Sequence, residues 1–207
     1  MSDQKTHRQD ARRREILATC LKCFASKGFH QTSMRDLCAA LEMSAGALYR
    51  YFDSKQTIIT ALIEEDRIKM EAIFSSIPAE MPFSEVVDHL LTQNQECFAD
   101  SSELILFNQI NSEGTVNPSV GEALTLHYAS ITDCLESLVR RAQKRKEIDT
   151  MIRPRDAAVF IISAFDGIYA RAAFDPLVDW RKMTSSFRDL ILRALGSVKP
   201  KGKGGKP

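Results

Sequence analysis

Long unbroken apolar runs are missing from this chain of 207 residues. The most apolar stretch, residues 157–174, is interrupted by Asp166 and Arg171. A bilayer core asks for about 20 consecutive apolar residues, so no membrane partner is expected. The opening MSDQKTHRQDARRRE lacks the apolar centre of a secretory signal. No segment alternates with period two for long enough to demand a strand, and there is no internal repeat. The five cysteines are odd in number, which predicts a reduced, cytoplasmic protein rather than a disulfide scaffold. His7, His30, His89 and His127 are scattered, with no pair at metal-ligand spacing. A glycine-rich phosphate loop, a nucleophile elbow and a close carboxylate pair are lacking too. No catalytic residue, metal or cofactor is expected, and secreted, collagenous and wholly disordered classes are excluded.

The composition that remains is that of a globular chain, 44% apolar and 27% charged. Its net charge of +1 conceals an uneven distribution. Residues 1–55 carry ten Lys/Arg against six Asp/Glu, and residues 56–195 carry fourteen against twenty-one. The last stretch, residues 196–207, holds four lysines and no acid. A basic front on an acidic body suggests that the front meets a polyanion.

Helical periodicity runs from end to end. Ile16, Leu17, Cys20 and Phe24 recur three and four apart on one face of a first helix. Gly28 is its expected stop, because glycine enters the left-handed region without penalty. Thr32 and Ser33 offer an N-cap to a second, short helix carrying Leu37 and Leu41. Ser44 caps a third over residues 45–51, and a longer helix starts at Lys55 and runs toward Ile77. Further helices are predicted over 84–99, 102–112, 119–146, 155–174 and 180–195, with Pro118, Pro154 and Pro176 at their boundaries. The tail at 198–207 holds little that can be buried and is expected to be disordered. The fold class is all-α, with an N-terminal helix-turn-helix domain and a larger helical domain behind it.

Residues 32–55 read TSMRDLCAALEMSAGALYRYFDSK. Together with the Ile16/Phe24/Gly28-Phe29 frame before them, they resemble the DNA-binding domain of the tetracycline-repressor (TetR) family of bacterial transcriptional regulators. The resemblance covers about residues 11–62. It rests on Thr32-Ser33-Met34-Arg35-Asp36-Leu37 opening the second helix, on Gly46-x-Leu48-Tyr49-x-Tyr51-Phe52 in the third, and on Lys55 opening the fourth.

The residues support this reading on their own. A recognition helix entering a major groove about 12 Å wide must be thin, and Ala45, Gly46 and Ala47 keep its N-terminus so. Ser44 caps that helix and can also reach a phosphate. Arg35 suits bidentate reading of a guanine, or a surface salt bridge to Asp36. Tyr49 and Tyr51 lie two apart and cannot share a face. Tyr49 is assigned to a phosphate, whereas Tyr51 either reaches the groove edge or packs beside Phe52. Lys55 is similar to the family's phosphate-contacting lysine. With Ser33 at the cap of the second helix, the DNA-contacting set is Ser33, Arg35, Ser44, Ala45, Gly46, Ala47, Tyr49, Tyr51 and Lys55. Arg12-Arg13-Arg14 is either a flexible basic arm on the DNA or a charged, solvated helix start.

The resemblance implies a DNA-binding domain at 1–56 and an effector-binding, dimerising domain at 57–197. Helices 155–174 and 180–195 are amphipathic and suit a four-helix bundle with a second copy, matching a two-fold operator. Candidate effector contacts are Met70, Phe74, Phe107, His127, Tyr128, Phe165 and Tyr169, with Asn94, Asn108 and Asp166 as further polar groups. Partners are thus a double-stranded operator, a small moderately apolar effector and a second copy of the chain. The implied function is repression relieved by ligand. A competing reading makes Cys20-x-x-Cys23 a redox sensor on the same scaffold, and a more remote one is a small helical enzyme.

Overall fold

The computed structural model describes residues 2–97 and 101–196, and every regular element among them is helical. The helices are α1 (Ser2–Lys27), α2 (Met34–Ala40), α3 (Ala45–Tyr49), α4 (Lys55–Ser76), α5 (Phe83–Cys97), α6 (Ser101–Val116), α7 (Pro118–Lys144), α8 (Pro154–Ala172) and α9 (Thr184–Ala194). The basic tail at 198–207 lies outside the described residues. By packing, the chain forms two compact units: residues 1–69 with 100–128, and residues 70–99 with 129–207.

In the first unit the predicted stripe of α1, Ile16, Leu17, Cys20 and Phe24, is wholly buried with Phe29, Leu37, Leu48, Ile58 and Ile59. Leu106 of α6 and Val120 of α7 complete that core, so helices distant in sequence close over the helix-turn-helix. Gly28, at φ +85°, ends α1 by donating its N–H to the Phe24 carbonyl at 2.8 Å. The end of α6 and the start of α7 run in backbone contact. A Cβ on Gly121 would stand 2.7 Å from the Gly114 carbonyl oxygen.

The turn between α2 and α3 is a Schellman motif: Met43 N–H donates to Cys38 C=O at 3.0 Å and Glu42 N–H to Ala39 C=O at 3.2 Å. Its left-handed position holds Glu42 (φ +53°) rather than glycine, which carries the penalty of a Cβ there. Glu42→Gly is therefore expected to stabilise the fold by about 0.5–1 kcal/mol. That should appear as a rise of about 1–4 °C in thermal unfolding. A lowered melting point would mean that the glutamate side chain stabilises more than its backbone strain costs.

In the second unit, α5 and α9 are tied by Arg188 Nε donating to Asp88 (2.5 Å) and by Gln95 Nε2 donating to Thr184 Oγ1 (2.8 Å). The end of α7 is locked by Arg145, which donates to the carbonyls of Ala79 (2.8 Å) and Met81 (2.9 Å) and to Glu147. Glu147 in turn accepts the Phe83 N–H at the start of α5 (2.8 Å).

Several predicted boundaries move, among them α7 ending at Lys144 and α8 at Ala172, each two residues early. The last helix begins at Thr184 rather than Trp180, because Asp179 accepts the Lys182 N–H (3.3 Å) and holds a separate turn. The third helix ends at Tyr49, two residues early. The sixth runs on to Val116, and Asn117 accepts from Ser119 to open α7 with Pro118 in its first turn.

Candidate nucleic-acid interface

The recognition unit is built from the buried side outward. Leu37 and Cys38 of α2 and Leu48 of α3 face the core, with Met34, Leu41, Met43 and Tyr51 half-buried against it. Both short helices are capped by serine. Ser33 accepts the Asp36 N–H (3.2 Å) while Asp36 accepts the Ser33 N–H (2.9 Å), a closed capping box. Ser44 accepts the Ala47 N–H at 3.3 Å. Thr32, offered alongside Ser33 as a cap, is fully buried and donates its hydroxyl to the Gly28 carbonyl (2.8 Å).

Both carboxylate oxygens of Asp36 are engaged by residues other than its neighbour Arg35. The Ser33 hydroxyl donates to it, Lys27 donates at 2.9 Å, and together they hold its carboxyl well below the usual carboxylate range. Arg35 is exposed and forms no ion pair among the described residues, which removes the salt-bridge alternative to Asp36. Ser33, Ser44, Ala45 and Gly46 are exposed, and Tyr49 is 47% exposed. Ala47 is half-buried. Of the two readings of Tyr51, the geometry takes the one in which it packs against the core beside Phe52.

Lys55 has a task that the sequence reading missed. Its ammonium donates to the carbonyls of Phe29 (2.8 Å) and His30 (3.3 Å) and lies 4.7 Å from the centre of the Phe29 ring. Burial pushes its pKa down, partly offset by Glu113. An ammonium has three hydrogens, and two of them serve the α1–α2 turn. The same turn is held from α6: Gln109 accepts the Phe29 N–H (2.8 Å), and the buried Glu113 faces His30 Nε2 at 3.9 Å. Gln109 and Glu113 lie some eighty residues from that turn and carry no local signal.

Arg12, Arg13 and Arg14 belong to α1, which is helical from Ser2, so the flexible-arm alternative gives way to the helix-start one. In the Cys20-x-x-Cys23 motif, Cys23 is half-buried. Cys20 is fully buried and burial pushes its thiol up to about 12, whereas a thiolate is the reactive form.

The candidate effector contacts fall in both units. In the first, Phe107 is half-buried, Tyr128 donates to Asn111 Oδ1 (3.1 Å), and the His127 ring meets Tyr128 edge-on with its Nε2 3.7 Å from Asp66. Burial pushes the His127 pKa down, and its Nδ1 is buried without a hydrogen-bond partner. In the second unit Met70 is half-buried and Phe74 buried, while Phe165 and Tyr169 sit in an aromatic cluster with Phe187 and Trp180. That cluster was not foreseen and gives Phe165 and Tyr169 a packing role. Asn94 and Asn108 donate to the carbonyls of Leu90 and Leu104, four residues back on their own helices (2.8 Å each). Asp166 is half-buried on α8.

Two short serine-capped helices, one with an exposed arginine and the other with a side chain-poor N-terminus, locked by a buried seam, define a helix-turn-helix DNA-binding protein. Residues 16–62 match the description "Bacterial regulatory proteins, tetR family". That match covers the helix-turn-helix domain alone, and over most of its length the chain is similar to DNA-binding transcriptional regulators. It is 27% identical over 192 residues to the HTH-type transcriptional regulator UidR of Escherichia coli (strain K12), covering 92% of this chain and 96% of UidR. It is similar to the solved structure of Salmonella enterica GusR, with 29% identity, a TM-score of 0.72, and 89% and 95% of the two chains covered. The SmeT–triclosan complex shares the fold at 20% identity, with a TM-score of 0.76 over 95% of this chain and 99% of that one. Among the described residues no helix is long and apolar enough to cross a membrane.

Proposed function

We propose that the protein is a ligand-responsive repressor that binds a palindromic operator as a homodimer and releases it when a small, moderately apolar effector binds. The observation that carries the DNA-reading half is the exposed Arg35 on α2 together with the bare N-terminus of α3, two helices joined by a buried seam. Functionally, residues 1–56 bind DNA and residues 57–197 bind effector and the second subunit. Helix α4 starts with Lys55 of the DNA-binding set and ends beyond Met70 and Phe74 of the effector set. It is the natural element through which effector and operator affinities are linked, a coupling of about 1–3 kcal/mol being typical. In SmeT the same fold accommodates triclosan. Dimerisation through α8 and α9 is supported by the apolar side chains those helices leave exposed, Val159, Phe160 and Leu190.

The test is to select a binding site from random duplexes and compare variants on it. An inverted repeat should emerge. Arg35→Ala is expected to lose about 1–3 kcal/mol of binding and to relax the preference at one position of each half-site. Lys55→Ala should weaken all sequences alike, lower the salt slope by about one, and also lower the melting temperature, since it frees the Phe29 and His30 carbonyls. An unchanged sequence preference in Arg35→Ala would remove Arg35 from base reading.

A further inference from the structure

The first half of α1 lacks an internal reason to be helical. From His7 to Glu15 every side chain is exposed except the half-buried Arg13, and the first fully buried residue is Ile16. Turns that bury no apolar face gain little from packing. These turns nevertheless line an open groove of about 550 Å³, with Arg8, Arg12 and Glu15 on one wall and Arg50 and Tyr51 on the other. Arg12 donates to Glu15 at 2.8 Å, so the groove's carboxylate is already matched. Arg8 and Arg50 are exposed, form no ion pair among the described residues, and leave the groove with two uncompensated positive charges. The walls are clamped: the Arg13 guanidinium lies over the Phe52 ring, 5.1 Å from its centre, two residues beyond Arg50.

We propose that this groove is a second phosphate-binding site, in which Arg8 and Arg50 hold the DNA backbone beside the stretch read by α2 and α3. The inference rests on the DNA-binding reading and extends it. Sites for small effectors are concave and mostly apolar, whereas this one is open and cationic, the surface suited to a polyanion. Arg50 follows Tyr49 directly, so the groove begins where α3 ends. Contacts of this kind position the protein and carry no base preference.

The experiment measures binding of the full chain to a random-sequence duplex several helical turns long, over a range of salt. Each neutralised phosphate contributes about 0.9 to the salt slope. Arg8→Gln/Arg50→Gln is therefore expected to lower the slope by about 1.8 per subunit bound, with an unchanged melting temperature. Arg8→Lys/Arg50→Lys should keep most of the slope. Arg153→Gln/Arg193→Gln, exposed charges of the other unit, is the control and should leave it alone. A double Gln variant with the wild-type slope overturns the proposal and leaves an acidic protein segment as the occupant. A control that lowers the slope equally overturns it too, because only net charge is then being read. Wild-type protein that fails to bind any duplex would instead remove the DNA-binding reading itself.

Discussion

Gly46→Leu is expected to weaken operator binding by at least about 100-fold, or about 2.7 kcal/mol, while leaving the fold as stable as before. Glycine inside a helix costs about 1 kcal/mol relative to alanine, so its presence in a helix of five residues needs a reason. Two internal reasons are available in general, a left-handed backbone or a close neighbour, and neither applies here. Gly46 has no positive φ, and a Cβ built on it meets no atom within 4 Å. The bare surface must therefore matter to something outside the chain. Under the function proposed above that something is the floor of the major groove, where a leucine would lift the helix off several base contacts worth about 1–3 kcal/mol each. Binding and thermal unfolding measured together check the claim. A Gly46→Leu variant that folds and still binds normally would show that α3 does not enter the groove end-on.

What was legible in the sequence was local. Gly28, Ser33 and Ser44 announce helix ends because the chemistry of a cap is confined to four or five neighbouring residues. The apolar spacing of Ile16, Leu17, Cys20 and Phe24 announces the buried face for the same reason. What escaped was long-range. Nothing around Lys55 reveals that its ammonium closes the Phe29–His30 turn, or that Gln109 takes the Phe29 N–H from α6. Sequence spacing is blind to such pairs, and they make the helix-turn-helix part of a larger packed unit. Phe165 and Tyr169 show the same limit in the other unit. An aromatic pair four apart on a helix suggested a ligand cage, yet Trp180 and Phe187 fill the space beside them. Asp179 hid the true start of α9 by supporting a turn that mimics a helix opening.

The second large effect concerns the C-terminal helices. Phe165 of α8 packs against Phe187 of α9, ring centres 5.4 Å apart, so the two helices present a common surface. Along α8 the exposed residues Phe160, Ser163, Gly167 and Arg171 recur three and four apart, and Phe174 follows just past the end of the helix. Phe160 is 44% exposed and Phe174 76%, while Ser163 and Gly167 between them are small enough to admit a second helix closely. On α9, Leu190 is 62% exposed. In the dimer proposed above, this stripe, with the charged Arg171 at its end, would face its own copy across a two-fold axis. Leu190→Glu would bring a carboxylate to that surface from both copies at once, unpaired and beside its like. The variant is expected to sediment as a monomer with an intact helical spectrum. It should lose operator affinity by about 10²–10⁴-fold, because the second half-site then no longer binds at the raised effective concentration that the first provides. Leu190→Met, which keeps the apolar volume, should behave as wild type. A Leu190→Glu protein that remains dimeric would move the interface off α9. A wild-type monomer with full operator affinity would remove the dimer altogether, and with it the reason for a palindrome.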